Sequence, residues 1–448
     1  MHASDGLPPA QRGWAMLAIG LAIAMAVLDG AIANVALPTI ARDLAATPAD
    51  SVWVVNAYQL VITILMLPLA SAGEIVGYRR VYRIGLAVFT LASLACALSN
   101  SLLVLTLARV AQGVGAAGVM SVNAALVRFI YPRQLLGRGI GIVALVVAVS
   151  AAVGPTVASA ILSIASWPWL FAVNVPIGLV TLVAAQALPR TPGAAHRFDL
   201  PSALLNALFF GLLIVAIDSI GHGERVLLVV LAFLGAAASG VALVVRQVPQ
   251  TSPLLPVDLL RIPLFALSIA TSVCSFTAQM LAYVAIPFYF QDVLGRGAVA
   301  TGLLMTPWPV ATAVLAPIAG RLADRYHPGL LGALGLAVFA AGLALLALLP
   351  ASPADADIAW RMALCGAGFG LFQSPNNRAI LGSAPQERSG GASGMLGTAR
   401  LVGQTTGAAL VALMFGLFGA DAALWAVGVA AAIALLAAAV SGSRLIRA

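Results

Sequence analysis

The chain has 448 residues, of which 62% are hydrophobic and 8% charged, against roughly 25% charged in an average soluble domain. So few charges cannot cover a water-facing surface, which excludes an ordinary soluble globule and leaves a chain solvated largely by lipid. All 23 basic residues are arginine and the net charge is +8, the balance expected from the cytoplasmic bias of arginine in membrane proteins; the basic clusters with interleaved aromatics that a nucleic-acid surface needs are missing.

Apolar stretches long enough for a roughly 30 Å hydrocarbon core begin at 14–38, 52–72, 82–99, 102–127, 139–164, 169–188 and 200–220. They continue at 226–245, 264–290, 299–320, 328–350, 358–378, 391–417 and 421–442. The expectation is an all-α polytopic membrane protein with 14 transmembrane helices. The long uncharged run from 139 to 188 is divided at Ser166-Trp167-Pro168-Trp169, since tryptophan and proline together suit an interfacial turn. Ala31-Ile32-Ala33 has the small-x-small form of a leader cleavage site. The apolar run before it is longer than a leader's and carries Asp29, so the segment reads as a first span.

An even number of crossings puts both termini on one face. The arginines then divide 17 to 3, with Arg42, Arg225 and Arg296 on the far face and Arg109, Arg361 and Arg400 inside spans. One missed or invented span would invert every later loop and spoil that division, so both termini are assigned to the cytoplasm. Cys96, Cys274 and Cys365 lie in apolar runs without metal-ligand spacing and read as small core residues.

Two loops echo each other, Ala70 to Arg80 after the second span and Gly320 to Arg325 after the tenth, and Arg109 to Gly115 in the fourth span parallels Arg361 to Gly368 in the twelfth. Both echoes match if spans 1–6 correspond to spans 9–14, as in a carrier made of two related halves. The organisation expected is a six-helix bundle over 1–188, two inserted helices with linkers over 189–260, and a second six-helix bundle over 261–448.

These residues resemble the major facilitator superfamily, and within it the fourteen-helix drug:proton antiporter family. Leu28-Asp29-Gly30-Ala31 through Pro38 is similar to the family's first-helix signature, and Glu74 to Arg80 to the superfamily's loop between helices two and three, with Gly320 to Arg325 as its copy. Arg109, Gln112, Gly113 and Gly115 resemble the fourth-helix motif, and Gly154-Pro155 the motif linked to antiport, followed here by Ala158 and Ser159 in place of a glycine pair. Trp167 to Pro176, and Ser374 to Gly407 with Arg388 and Arg400, match further family segments. The resemblance implies an exporter of amphipathic, cationic or neutral compounds in the cell inner membrane, needing no cofactor or metal because the proton gradient drives it, and functional as a monomer.

Asp29 is the most informative residue, because a carboxylate inside a span costs several kcal/mol unless protonated, paired or hydrated. It lies about 13 Å below the far end of its helix, and Arg109, on an antiparallel helix, about 10 Å below the same surface at 1.5 Å per residue. The two can therefore pair or compete with a proton, and Asp29 is expected to couple protons with Arg109 and Gln112 orienting it. Glu74 with Arg79 and Arg80, and Asp324 with Arg321 and Arg325, sit at cytoplasmic helix ends, where such charges can latch helices in one state of an alternating-access cycle. Polar and aromatic groups at mid-depth are candidates for substrate contact: Asn34, Asn56, Tyr58, Gln59, Asn123, Gln279, Tyr283, Trp308, Gln373 and Asn376. An intramembrane enzyme would need a nucleophile with a base or a metal-ligand cluster at membrane depth, and His2, His196, His222 and His327 all fall in loops or at the terminus. No P-loop is present. The alternative within transporters is export of one specific metabolite or lipid on the same fold.

Overall fold

The computed structural model describes residues 6–191, 198–221, 223–248, 257–350, 352–385 and 388–445, and contains no strand among them. Fourteen helices of membrane length follow one another. The first six are α1 (Pro9–Asp43), α2 (Pro48–Val76), α3 (Tyr78–Ala97), α4 (Leu102–Ile130), α5 (Leu136–Leu162) and α6 (Trp169–Ala187). An intervening pair, α7 (Leu200–Gly221) and α8 (Val226–Gln247), precedes the last six. These are α9 (Pro263–Val293), α10 (Ala298–Leu322), α11 (Pro328–Ala347), α12 (Asp355–Ser383), α13 (Ser389–Phe418) and α14 (Ala422–Ser443).

Local chemistry sets many of the ends. Proline opens α1, α9 and α11, where its missing N–H would have had no partner in any case. The Ser101 hydroxyl accepts from the Val104 N–H at the start of α4, and His327 Nδ1 accepts from Gly329 N–H at the start of α11. Thirteen of the helices are apolar enough to cross a bilayer on composition. The exception, α12, opens with Asp355 and Asp357 and carries Arg361 and Arg378. Between α2 and α3 the chain turns on Gly77 alone, at φ +96°, and a Cβ there would also press on the Thr191 carbonyl. Arg79, Arg80 and Arg83 therefore belong to the first turns of α3, not to a loop.

The two groups of six repeat one packing scheme. In the first, α1 packs on α5 and α6, α2 on α4, and α3 on α4 and α6. In the second, α9 packs on α13 and α14, α10 on α12, and α11 on α12 and α14. Glycine makes the tightest crossings possible in both. A Cβ on Gly115 would collide with the Phe89 backbone, and one on Gly368 with that of Phe339. Gly113 faces the Tyr58 carbonyl and Gly366 that of Trp308 in the same way. These contacts register the halves and correct the arginine echo: with Gly113 matched to Gly366, Arg109 corresponds to Met362, and Arg361 is displaced by one residue. One residue is about 100° of helix rotation, so the two arginines cannot point to equivalent places.

The halves meet on the far side of the membrane from the termini. Gln291 Nε2 donates to the Val35 carbonyl at 3.0 Å, Arg42 Nη2 to Gln291 Oε1 at 3.0 Å, and Ser159 Oγ to the Val299 carbonyl at 2.9 Å. Thr156 and Thr306 hydroxyls bond at 2.8 Å along the same seam. The inserted α7 packs against both α2 and α13. Asn206 Nδ2 donates to the Ile64 carbonyl at 2.9 Å, Trp53 Nε1 donates to Asp218 Oδ1 at 3.0 Å, and Ile214 and Ile217 pack with Ala409. The α2 and α13 helices also touch directly, with the Thr63 and Thr405 hydroxyls 2.8 Å apart, and α7 packs along that contact with α8 resting on α7.

Candidate functional site

Asp29 on α1 and Arg109 on α4 are both buried and form an ion pair from Arg109 Nη1 to Asp29 Oδ2. The pairing expected from helix depth is therefore present. Gln112, one turn from Arg109, donates from Nε2 to Asp29 Oδ1 at 2.7 Å and accepts from Arg109 Nη1 at 2.6 Å. Asn174, at the bend inside α6, supplies the third donor, Nδ2 to Asp29 Oδ1 at 3.0 Å. Ser93 Oγ on α3 accepts from Gln112 Nε2 at 2.9 Å, and Arg109 Nε donates to the Val54 carbonyl at 2.8 Å. Every neighbour of the carboxylate is a donor, which is the pattern an ionised, acceptor-only carboxylate requires. Asn174 and Ser93 were not singled out from sequence. The Trp167 to Pro176 segment that contains Asn174 was the available signal, but nothing in it fixes which helix face meets α1.

Tyr58 closes this cluster on the terminal side. Its ring lies 4.1 Å from the Arg109 guanidinium carbon, its hydroxyl donates to the Ala26 carbonyl at 3.2 Å, and the side chain is buried. A desolvated cation held on an aromatic face gains about 2 kcal/mol. Tyr58 thus serves the ion pair in this state, which differs from the expected role in substrate contact. Arg109 Nη2 has no hydrogen-bond partner, and neither polar atom of the buried Asn56 side chain has one, nor does Asn34 Oδ1. All three residues sit at or on the far side of the Asp29 level on α1, α2 and α4.

A cavity of about 240 Å³ opens on the terminal side of this cluster, between α1, α4, α5 and α13. Ile23, Ala26, Val27, Met120 and Val143 supply apolar wall, and Asn123 and Arg400 are its polar members. Of the ten residues expected to contact substrate, Asn123 lines this cavity. Its side chain is 7% exposed and its Oδ1 has no hydrogen-bond partner. The sole charge on the wall is Arg400.

The other candidates scatter. Tyr283 and Trp308 join an aromatic cluster in the second half, with ring centroids 5.6 Å apart and Trp308 5.4 Å from Phe339. Trp308 is buried and its Nε1 lacks a partner. Gln59, Gln279 and Gln373 are half-buried. Asn376 belongs to a different network, at the terminal ends of α9, α12 and α14. It donates to Ser272 Oγ at 2.7 Å and accepts from Arg444 Nη1 at 2.8 Å. Arg444 is buried just beyond α14, and burial pushes its guanidinium down to about 10, still charged at neutral pH. Asn376 solvates that charge, a packing duty in place of the expected substrate contact.

The expected latches also lie inside single halves. Arg79 Nη2 donates to the Gln186 carbonyl at 2.8 Å, tying α3 to α6, while Glu74 and Arg80 are exposed. Asp324 pairs with Arg378 on α12, not with its loop neighbours Arg321 and Arg325, which are exposed. Gly154 stands where α5 crosses α1, and a Cβ there would clash with Ala31 Cβ at 2.6 Å. Pro155 has no N–H and leaves the Ala151 carbonyl without its helical donor; its own carbonyl accepts from Ser159 Oγ at 3.0 Å and would be touched by a Cβ on Gly302 at 2.6 Å. The Gly-Pro pair thus sits where α5 meets both α1 and the seam with α10.

A Major Facilitator Superfamily model matches residues 19–404 and 267–444. The chain is 61% identical over 445 residues to the "Uncharacterized transporter YebQ" of Escherichia coli (strain K12), covering 99% of this chain and 97% of that one. It is 30% identical over 410 residues to the "Riboflavin transporter RibZ" of Clostridioides difficile (strain 630), covering 90% and 88%. Over 400 residues it is 32% identical to the "Multidrug resistance protein Stp" of Mycobacterium tuberculosis (strain CDC 1551 / Oshkosh), covering 88% and 74%. The chain is a multi-pass membrane transporter and belongs to the Major Facilitator Superfamily.

Proposed function

We propose that this transporter exports amphipathic compounds across the cell inner membrane in exchange for protons, acting as a monomer by alternating access. The observation that carries this reading is the buried Asp29 carboxylate, held by Arg109, Gln112 and Asn174 between the cavity and the far seam. With the far seam bonded and the cavity on the terminal side, a carboxylate surrounded by donors has given up its proton to the cytoplasm and leaves the cavity ready for substrate. Protonation from the far side would neutralise Asp29, release its hold on Arg109 and Gln112, and loosen the packing of α4 on α1. Residues 1–188 and 261–448 would rock about the seam while the helices of 189–260 stay packed against α2 and α13. Tyr58 would transmit the change, since it touches both Arg109 and the α1 backbone at the cavity.

Among the relatives, one is named for multidrug resistance and another for riboflavin transport, which supports either a broad or a single-metabolite substrate range. Everted vesicles with an acidic interior and a pH-sensitive dye test the coupling. Neutral amphiphiles added outside should release protons from native vesicles, and Asp29→Asn should abolish that release while binding persists. Full coupling in Asp29→Asn would return Asp29 to a packing role and sink this reading.

A further inference from the structure

Arg400 enters the cavity from α13, its guanidinium carbon 5.9 Å from the Phe276 ring. No acidic side chain pairs with it among the described residues, and α4, α5 and α13 contain no acidic residue. On α1 the acids are Asp29, already committed to Arg109, and Asp43 at the far end. A cation in a mostly apolar compartment without a counter-charge is expensive. Asn123, on the opposite helix, contributes a second unfinished group, a carbonyl oxygen that lacks a donor. The remaining wall is aliphatic and Met-containing, the usual surface for a small amphiphile oriented by a few polar groups.

We propose that this cavity binds an amphipathic organic monoanion, a weak acid whose carboxylate pairs with Arg400 and whose hydrogen-bond donor meets Asn123 Oδ1. Its apolar body lies along α1, α4 and α5. The inference rests on the exporter reading above and deepens it by giving the sign of the substrate. A planar guanidinium matches a carboxylate in two parallel hydrogen bonds, and Asn123 then selects acids that also carry a hydroxyl or amine. Ligand charge also answers why Arg400 is tolerated there: it is neutralised when the site is loaded.

Three naphthalene probes of near-equal size test this on the purified full-length protein in lipid nanodiscs: hydroxynaphthoate, naphthylmethanol and naphthylmethylammonium. Native protein should bind the acid in preference to the alcohol and the alcohol in preference to the ammonium. Arg400→Gln should weaken the acid by about tenfold or more, the size of one lost charge-assisted contact, and relieve the discrimination against the ammonium; Arg400→Lys should recover part of the loss. Asn123→Ala should erase the advantage of hydroxynaphthoate over plain naphthoate. Preference of native protein for the ammonium overturns the proposal, as does unchanged acid binding in Arg400→Gln, and the native ranking decides alone if that variant does not fold. Dye measurements separate the two readings. Acid binding through Arg400 with no proton movement would end proton exchange and leave this site standing, whereas proton release triggered by the ammonium alone would do the reverse.

Discussion

At the crossing of α2 and α4, Gly113 rests on the Tyr58 carbonyl; at the crossing of α10 and α12, Gly366 rests on that of Trp308. Beside the first lies a buried ion pair with amide partners, and beside the second lie Met362, Phe339 and Tyr283. The backbone scheme is shared, and the place that holds Arg109 in one half holds a thioether and aromatic rings in the other. Arg361, which looks like the missing arginine, points elsewhere and forms a bidentate pair with Asp357 on its own helix, over the Trp360 ring. The difference shows that equivalent crossings of a duplicated fold can hold a buried ion pair in one half and an apolar cluster in the other.

The strongest way to break that comparison is to remove each arginine in turn. Arg109→Ala leaves Asp29 buried without its counter-ion and should cost about 3–5 kcal/mol, seen as a large drop in the thermal unfolding midpoint or as loss of folded protein. Arg361→Ala removes an i,i+4 pair together with a hydrogen bond to the Leu345 carbonyl on α11, and should cost about 1–2 kcal/mol. Equal losses would mean that the two sites are not different in kind.

The shared scaffold predicts symmetry where the chemistry predicts asymmetry. Gly115→Ala and Gly368→Ala each drive a Cβ into the backbone of a neighbouring helix, and each should destabilise by about 1–3 kcal/mol. Midpoints differing by more than that range between the two variants would show that the halves do not share the crossing. A smaller effect is expected at Asn56, buried with both polar atoms unpartnered. An unpaired buried amide costs about 1–3 kcal/mol, and opening the far side would hydrate it. Asn56→Leu should therefore favour the present state by about 1 kcal/mol. A Ser159→Cys reporter on the seam should then react several-fold more slowly with a membrane-impermeant maleimide. Unchanged labelling would show that Asn56 does not sense the opening.

Much of this was readable from the residues. Fourteen spans and the depth match of Asp29 with Arg109 follow from apolar length and helix rise, which are one-dimensional quantities. What was not readable depends on rotation and on long-range partners. Asn174 reaches Asp29 only because α6 bends near it, Tyr58 turns toward Arg109 and not toward the cavity, and Asn376 is taken up by Arg444 from the chain's other end. The arginine echo misled because seven residues in one helix faced eight in the other, and a single added residue moves a side chain to another face. His2, His196 and His222, assigned to loops or the terminus, lie outside the described residues.

The gentlest probe concerns the charged ends of α3 and α10. Arg79 reaches a backbone carbonyl of α6, whereas Asp324 pairs directly with Arg378 at the surface, with side chains 61% and 55% exposed. Exposed pairs contribute about 0–1 kcal/mol and are screened by salt. Asp324→Asn should therefore leave the unfolding midpoint nearly unchanged and alter transport rate more than substrate affinity. The difference between variant and native rates should shrink as ionic strength rises. Arg79 donates to a neutral carbonyl, so Arg79→Gln should alter the rate with weak dependence on salt. If both variants responded to salt alike, the two helix ends would be working through the same surface charge, and the asymmetry between the halves would stop at the Asp29 level.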